Sequence, residues 1–246
     1  MPPPCRLLEW DSEFFGRRIG RVCAARIGPA DVERIREWAD AEGVECLYYL
    51  APAADAESVR TAEEAGFRLT DIRMTRVRDL EGGFGALPEG VEPFRREDIP
   101  ALRAIARVGH RDSRFYFDGN FPRDRCDALY ETWIEKNCAG GANAVLVVRH
   151  AASVAGYMAV KLARDETGIL DLMAVAPERR QGGVGHRLVQ GSLAWLAGQG
   201  CRHFRVVTQG RNVGSARIFE DFGFRTSTVE HFYHFWLPRS GSGITS

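Results

Sequence analysis

Ile169-Leu170-Asp171-Leu172-Met173-Ala174-Val175-Ala176-Pro177-Glu178-Arg179-Arg180-Gln181-Gly182-Gly183-Val184-Gly185-His186-Arg187-Leu188-Val189-Gln190 decides how this chain is read. The apolar run Ile169 to Ala176 ends at Pro177, and a short loop rich in arginine and glycine follows. Apolar residues then recur at Val184, Leu188, Val189, Leu193 and Leu196, the spacing of one helix face. The order is therefore strand, glycine turn, helix. Glycines let backbone N–H groups turn inward, and the helix adds the positive end of its dipole, so the turn suits phosphate.

Two common phosphate turns do not fit. A Walker loop needs Gly-Lys-Ser/Thr at its end, which is missing. The spacing of Gly182, Gly183 and Gly185 does not match G-x-G-x-x-G. Arg180-Gln181-Gly182-Gly183-Val184-Gly185 does fit Q/R-x-x-G-x-G/A, and it resembles the acetyl-CoA pyrophosphate loop of the Gcn5-related N-acetyltransferases (GNAT). Met173-Ala174-Val175-Ala176-Pro177 is similar to that family's signature strand. An ordinary strand-to-helix turn with glycines for packing is the alternative.

The bulk composition bounds the class. A chain of 246 residues can bury a substantial core, as one domain or two. With 33 basic and 33 acidic residues there is no basic field to argue for nucleic acid. No apolar run approaches the ~20 residues of a membrane helix. Met1-Pro-Pro-Pro-Cys5-Arg-Leu-Leu-Glu-Trp10 holds no signal core, so a cytoplasmic protein is expected. The six cysteines form no C-x-x-C and have no histidine at ligand spacing, which points to reduced thiols without zinc.

Along the chain, residues 7–27 read as a strand and Asp31 to Glu42 as a helix. Cys46 to Leu50 reads as a strand, Asp55 to Ala65 as a helix closed by Gly66, and Leu69 to Val77 as a strand. Four glycines and a proline in Glu81–Gly90 suggest a linker. A helix capped by Asp98 follows, then the loop His110 to Asp118, then a helix over 123–137. Three strand-like runs (Ala144 to Arg149, Val154 to Leu162, Gly168 to Ala176) predict an antiparallel meander. The helix after the glycine turn, a strand over Phe204 to Thr208, a helix over Ser215 to Phe222 and a strand over Val229 to Leu237 complete the order.

The expected architecture is α/β (α+β): a mixed, mostly antiparallel sheet with flanking helices over 93–238, preceded by a smaller α/β domain over 1–80 and a linker over 81–92. The tail 239–246 is expected to be disordered. Ala62-Glu-Glu-Ala-Gly-Phe-Arg-Leu-Thr70 resembles Phe219-Glu-Asp-Phe-Gly-Phe-Arg-Thr-Ser227. Either helix–glycine–strand corners simply look alike, or residues 1–80 copy part of the acetyltransferase fold. Trp10-Asp-Ser-Glu-Phe-Phe-Gly16, Ser113-Arg114-Phe115 and Tyr130-Glu-Thr-Trp133-Ile134-Glu135 add a narrower resemblance, to the bacterial dTDP-fucosamine acetyltransferases, which act on a nucleotide-linked amino sugar.

The family resemblance implies acetyl-CoA as cosubstrate, no metal, and direct attack of an amine on the thioester. Gln181, Gly182, Gly183, Val184, Gly185 and His186 would face the pyrophosphate, with Gly183 and Gly185 letting the phosphate approach the backbone. Met173, Ala174 and Val175 would pair with the pantetheine arm as a strand would, and Asn212 would touch it or merely shape a turn. Asp171 is the base candidate, unless it pairs with a cation such as Lys161. Phe219 stands where relatives carry an acidic tyrosine. That leaves Tyr233, His231, His234 and Tyr157 as substitutes, with Tyr233 preferred. Arg111, Arg114 and Phe115 would bind a diphosphate and a base or sugar, or form a partly buried aromatic loop. A peptide or polyamine acceptor, and a CoA-binding protein lacking transferase activity, are the competing readings. An exposed edge over Val229 to Leu237 would permit a homodimer.

Overall fold

A computed structural model describes residues 3–81, 84–151 and 153–237. The expected disordered tail, and Gly82 and Gly83 of the expected linker, lie outside the described residues. Contacts divide the chain into two compact units, one of Met1–Arg73, Arg114–Arg125 and Thr228–Ser246, the other of Met74–Ser113 and Cys126–Ser227. Neither is one consecutive stretch such as 1–80 or 93–238. Two long strands change unit partway along their length, and the segment Arg114–Arg125 joins the first unit.

In the first unit, β1 (Cys5–Leu7) pairs antiparallel with β2 (Ile19–Val22), and β2 runs parallel to β3 (Cys46–Pro52). The end of β10 (Arg225–Trp236) pairs antiparallel with β3, from Glu230↔Pro52 to Trp236↔Cys46. The stretch expected to be an exposed edge is therefore paired within its own unit. Next to β10 lies β4 (Arg68–Asp79). Helices α2 (Pro29–Ala41) and α3 (Ala56–Glu64) contribute Ile35, Ala39 and Ala62 to a core with Leu47, Tyr49, Ala51, Phe67 and Tyr233. Alternate residues of β3 and β10 thus face these helices, as strand pleating requires.

The expected strand over 7–27 is interrupted by helix α1 (Glu9–Phe15). The Leu8 carbonyl accepts both the N–H and the Oγ–H of Ser12, at 2.8 and 2.7 Å. Trp10 and Phe14, four apart and so on one helical face, stack at 5.0 Å. Gly16, at φ +61°, ends the helix.

The second unit orders its strands β4-β9-β8-β7-β6-β5, where β5 is Val91–Pro93, β6 Ala144–His150, β7 Ser153–Leu162, β8 Thr167–Val175 and β9 His203–Gln209. The meander β6–β7–β8 is antiparallel, as expected, and β8 runs parallel to β9. Its helices are α4 (Ile99–Gly109), most of α6 (Arg123–Lys136), α7 (Val184–Gly198) and α8 (Val213–Asp221). Leu188, Val189, Leu193 and Leu196 of α7 meet Leu146, Met158, Val160, Phe204 and Val206 in its core. The five-residue helix α5 (Arg114–Asp118), inside the expected loop, belongs to the first unit.

One element order occurs twice. Strand β2, helix α2, parallel strand β3, helix α3 and strand β4 match β8, α7, β9, α8 and β10. In both, a glycine with positive φ, Gly66 or Gly223, joins the second helix to the last strand. The last strand of each set borders the second strand of the other: β4 neighbours β9, and β10 pairs with β3.

A buried ion pair fixes the start of α4. Arg149 donates to both oxygens of Asp98, at 2.9 and 2.6 Å, and also to Glu92. Asp98 further accepts the Arg95 N–H at 2.7 Å. The hydrogen bond from Arg149 is the main force holding the Asp98 carboxyl below its usual pKa, against the opposing effect of burial. A carboxylate whose folded pKa is depressed stabilises the fold above its unfolded pKa of about 3.9 and stops doing so as pH falls through the lowered value. Arg149→Ala should cost about 3 kcal/mol at pH 7, because it strands a buried carboxylate. Urea unfolding should show that cost shrinking as pH falls below about 4. A cost that does not change with pH would rule out the carboxylate as its source.

Candidate active site

The parallel pair β8–β9 is short. It holds only at Thr167↔His203, Gly168↔Phe204 and Ile169↔Arg205. The other side of β8 stays paired to β7 as far as Val175. From Leu170 onward β8 and β9 diverge, leaving a gap with an open β8 edge that includes Met173, Ala174 and Val175. A strand edge with unpaired N–H and C=O groups accepts another extended chain.

At the end of that edge comes the exposed turn. A short 3-10 turn, Pro177–Arg179, leads to Gln181 at φ +66° and Gly183 at φ +71°, and α7 starts at Val184. The first N–H groups of a helix have no partner within it, so Val184, Gly185 and His186 can donate to an anion. The two positive φ values curl the preceding backbone around the same spot. This open edge followed by a nest of N–H groups fits an extended amide-bearing arm ending in a pyrophosphate, the shape of CoA.

Gly183 and Gly185 matter for different reasons. A β-carbon on Gly183 would meet nothing within 4 Å, so its role is its backbone conformation. A β-carbon on Gly185 would sit 2.7 Å from Ile218 Cδ1, so that glycine lets α7 pack on α8. His186 is exposed, with Nε2 2.9 Å from Asp221. Asn212 caps α8, its Oδ1 accepting the Ser215 N–H at 3.0 Å, which is the turn-shaping alternative.

Asp171 sits at a bulge. Leu170 pairs with Val160 and Leu172 with Ala159, so Asp171 is the extra residue on β8. A bulge re-aims its side chain. Here Asp171 Oδ2 accepts from Trp133 Nε1 at 2.7 Å and Asn137 Nδ2 at 2.8 Å, and Oδ1 lies 2.7 Å from Lys161 Nζ. The alternative pairing with Lys161 is present, together with two neutral donors. Nearby, His110 Nε2 lies 3.0 Å from the Tyr157 hydroxyl, and its ring stacks on Tyr130, which stacks on Trp133. Burial pushes His110 down to about 3, so its imidazole stays neutral.

The proton-donor candidates are corrected. Tyr233 is fully buried in the first unit's core, stacked near Tyr49, and its hydroxyl donates to Glu63 at 3.1 Å. Burial, reinforced by Glu63, raises its pKa. A hydroxyl held this way is packing, not a free acid. His234 is equally buried on Asp118 at 2.6 Å. Phe219 is fully buried against Phe224 in the second unit's core. Phe115 is also core, in contact with Phe15 and Phe121, so it cannot stack on a ligand. Arg111 is exposed in the second unit, whereas Arg114 belongs to the first.

Two glycines that shape the gap carry no motif. A β-carbon on Gly156 would lie 2.9 Å from both the Ala174 carbonyl and Val184 Cγ1, and one on Gly109 would lie 2.6 Å from Ala174 Cβ. Both keep β8 close to its neighbours at Ala174. The sequence signal for Gly156 was a glycine inside an otherwise apolar strand, whereas Gly109 closes α4 and gave none.

Comparison with known proteins agrees with this geometry. The acetyltransferase (GNAT) family profile matches residues 108–224. The spore coat polysaccharide biosynthesis protein SpsD of Bacillus subtilis (strain 168) is 34% identical over 143 residues, 56% of this chain. The match spans about half of that relative, 48% of its length. Among solved structures, a GCN5-related N-acetyltransferase from Sphaerobacter thermophilus superposes with a TM-score of 0.65 at 14% identity, covering 94% of this chain and 76% of the other. A tandem GNAT protein from the clavulanic acid biosynthesis pathway gives 0.53 at 16% identity, covering 89% and 75%. These two show the shared fold. Profile, relative, splayed strand pair and glycine turn converge on one assignment: residues 108–224 are a domain of the acetyltransferase (GNAT) family of N-acetyltransferases.

Proposed function

We propose that the protein transfers an acetyl group from acetyl-CoA to the amine of a small acceptor, a nucleotide-linked amino sugar. The observation that carries the donor is the β8–β9 gap ending in the Gln181–His186 turn. The acceptor class is supported by the likeness to a protein named for polysaccharide biosynthesis and by the narrower sequence resemblance. Six scattered cysteines without a C-x-x-C pair fit a reducing, cytoplasmic setting.

In the reaction a neutral amine attacks the thioester carbon. The N–C bond forms, the C–S bond breaks, and the proton lost by nitrogen passes, directly or through water, to the departing thiolate, giving the amide and the CoA thiol. On this reading the open β8 edge holds the thioester arm in line, and the turn anchors the pyrophosphate. Asp171, with three donors on it, positions the bulge and is not the proton acceptor. With Phe219 in the core, the thiolate leaves without a tyrosine acid from α8. Arg111 remains the exposed candidate for a charged acceptor.

Thiol release from acetyl-CoA should be followed across dTDP- and UDP-linked 4-amino sugars, polyamines and short peptides. Turnover with a nucleotide-linked sugar is the expected result. Turnover with polyamines or peptides alone would replace the acceptor. Tight acetyl-CoA binding with no turnover anywhere would favour a non-catalytic CoA-binding protein.

A further inference from the structure

The first unit carries a charged cavity that the transferase reading does not use. It encloses about 440 Å³ between Arg6, Arg21, Val22, Cys23, Leu50 and Glu230, a size suited to a small ligand. Strand register explains its make-up. Arg6 opposes Arg21, Arg21 opposes Tyr48 and Tyr48 opposes His234, so these four share one face of the sheet. That face is opposite the one bearing Tyr49 and Tyr233. Two arginines directly across an antiparallel pair repel each other. Among the described residues no carboxylate bonds to either, whereas the nearby Arg73 is taken by Glu230.

Arg114, outside the cavity lining, adds a third guanidinium to the charge around Arg21. It lies over the rings of Phe115, Phe232 and Tyr48, at 4.0, 4.3 and 5.0 Å. Its Nε and the Tyr48 hydroxyl are both buried without a hydrogen-bond partner. Burial first, then the charges of Arg6, Arg114 and Arg73, lower the Arg21 pKa, with only Glu230 opposing. Asp11 is the other carboxylate felt by Arg114 and Arg21. Unmade donors, and four guanidinium groups set against the two carboxylates Glu230 and Asp11, favour an acceptor-rich anion.

The corresponding turn of the first unit cannot supply that binding through its backbone. It leads into α2, where Pro29 lacks an N–H and the Asp31 carboxylate already accepts the Gly28 N–H at 2.9 Å. Anion recognition here would have to come from side chains, and guanidinium groups match phosphate oxygens in paired fashion.

We propose that the first unit holds a separate site for a diphosphate-bearing small molecule, built on Arg6 and Arg21. The site concerns the first unit alone and goes beyond the transferase reading of the second. Its ligand could be a nucleoside diphosphate moiety or a CoA, which share this chemistry.

Calorimetric titration of the full chain with inorganic pyrophosphate, dTDP and CoA tests the site. Arg21→Gln and the exposed Arg6→Gln should each weaken pyrophosphate binding at least tenfold, with melting temperatures close to wild type. Gly183→Asp, in the second unit's turn, should leave the arginine-dependent part of that binding unchanged. Arginine-dependent dTDP binding identifies a nucleotide ligand, whereas a second equivalent of CoA lost in Arg6→Gln identifies CoA. The proposal is overturned if pyrophosphate does not bind, if its binding ignores both arginine substitutions, or if the arginine-dependent binding is lost in Gly183→Asp.

Discussion

Asp171→Ala is expected to lower the free energy of unfolding by about 3 kcal/mol, and Asp171→Asn by less than about 1 kcal/mol. Asp171 is mostly buried, and Ala would leave Trp133 Nε1–H and the buried Asn137 amide without their acceptor. Each stranded donor costs about 1–3 kcal/mol. Lys161 adds little, because its side chain is 38% exposed and can return to water. An asparagine can keep its oxygen at the Oδ2 position, where both neutral donors converge, and lose only the lysine contact. The same pair of variants separates two roles. If Asp171 positions the bulge, Asp171→Asn should retain turnover within several-fold. A folded Asp171→Asn enzyme whose kcat falls about a hundredfold or more would make it the general base.

Gly183→Asp should weaken acetyl-CoA binding at least tenfold, while Gly183→Asn stays within about threefold of wild type. Asn and Asp both tolerate the left-handed backbone that Gly183 adopts at φ +71°, and neither β-carbon would meet an atom within 4 Å. The fold should therefore survive both changes. The two side chains have nearly the same shape, so the difference between them is the charge that Asp would place beside the pyrophosphate. Equal affinities for the two variants would move the pyrophosphate away from this turn.

The glycine turn was legible because its chemistry is local: positive φ, small residues and a helix start all show in consecutive letters. The meander was legible as three apolar runs joined by short turns, and both strand–helix–strand sets as apolar periodicity with glycine after the helices. What stayed hidden depends on partners distant in sequence. The bulge at Asp171 exists only because Leu170 and Leu172 pair with consecutive residues of β7. Tyr233 looked available beside two histidines. Its neighbours across the strand and in α3, Tyr49 and Glu63, make it core. Phe115 looked like a ligand-stacking residue until Phe15 and Phe121 closed over it. The unit boundary was invisible because β4 and β10 each serve both units, and nothing in an unbroken strand marks the change.

The central claim is that acetyl-CoA completes the open edge of β8 and is anchored by the turn after it. Amide hydrogen exchange on the full chain, with and without acetyl-CoA, tests it most directly. Protection should rise in peptides covering Leu170–Val175 and Gln181–His186 and stay unchanged in β6, whose amides are already paired. Saturating acetyl-CoA that leaves both segments exchanging as before, or that protects only segments of the first unit, would contradict it.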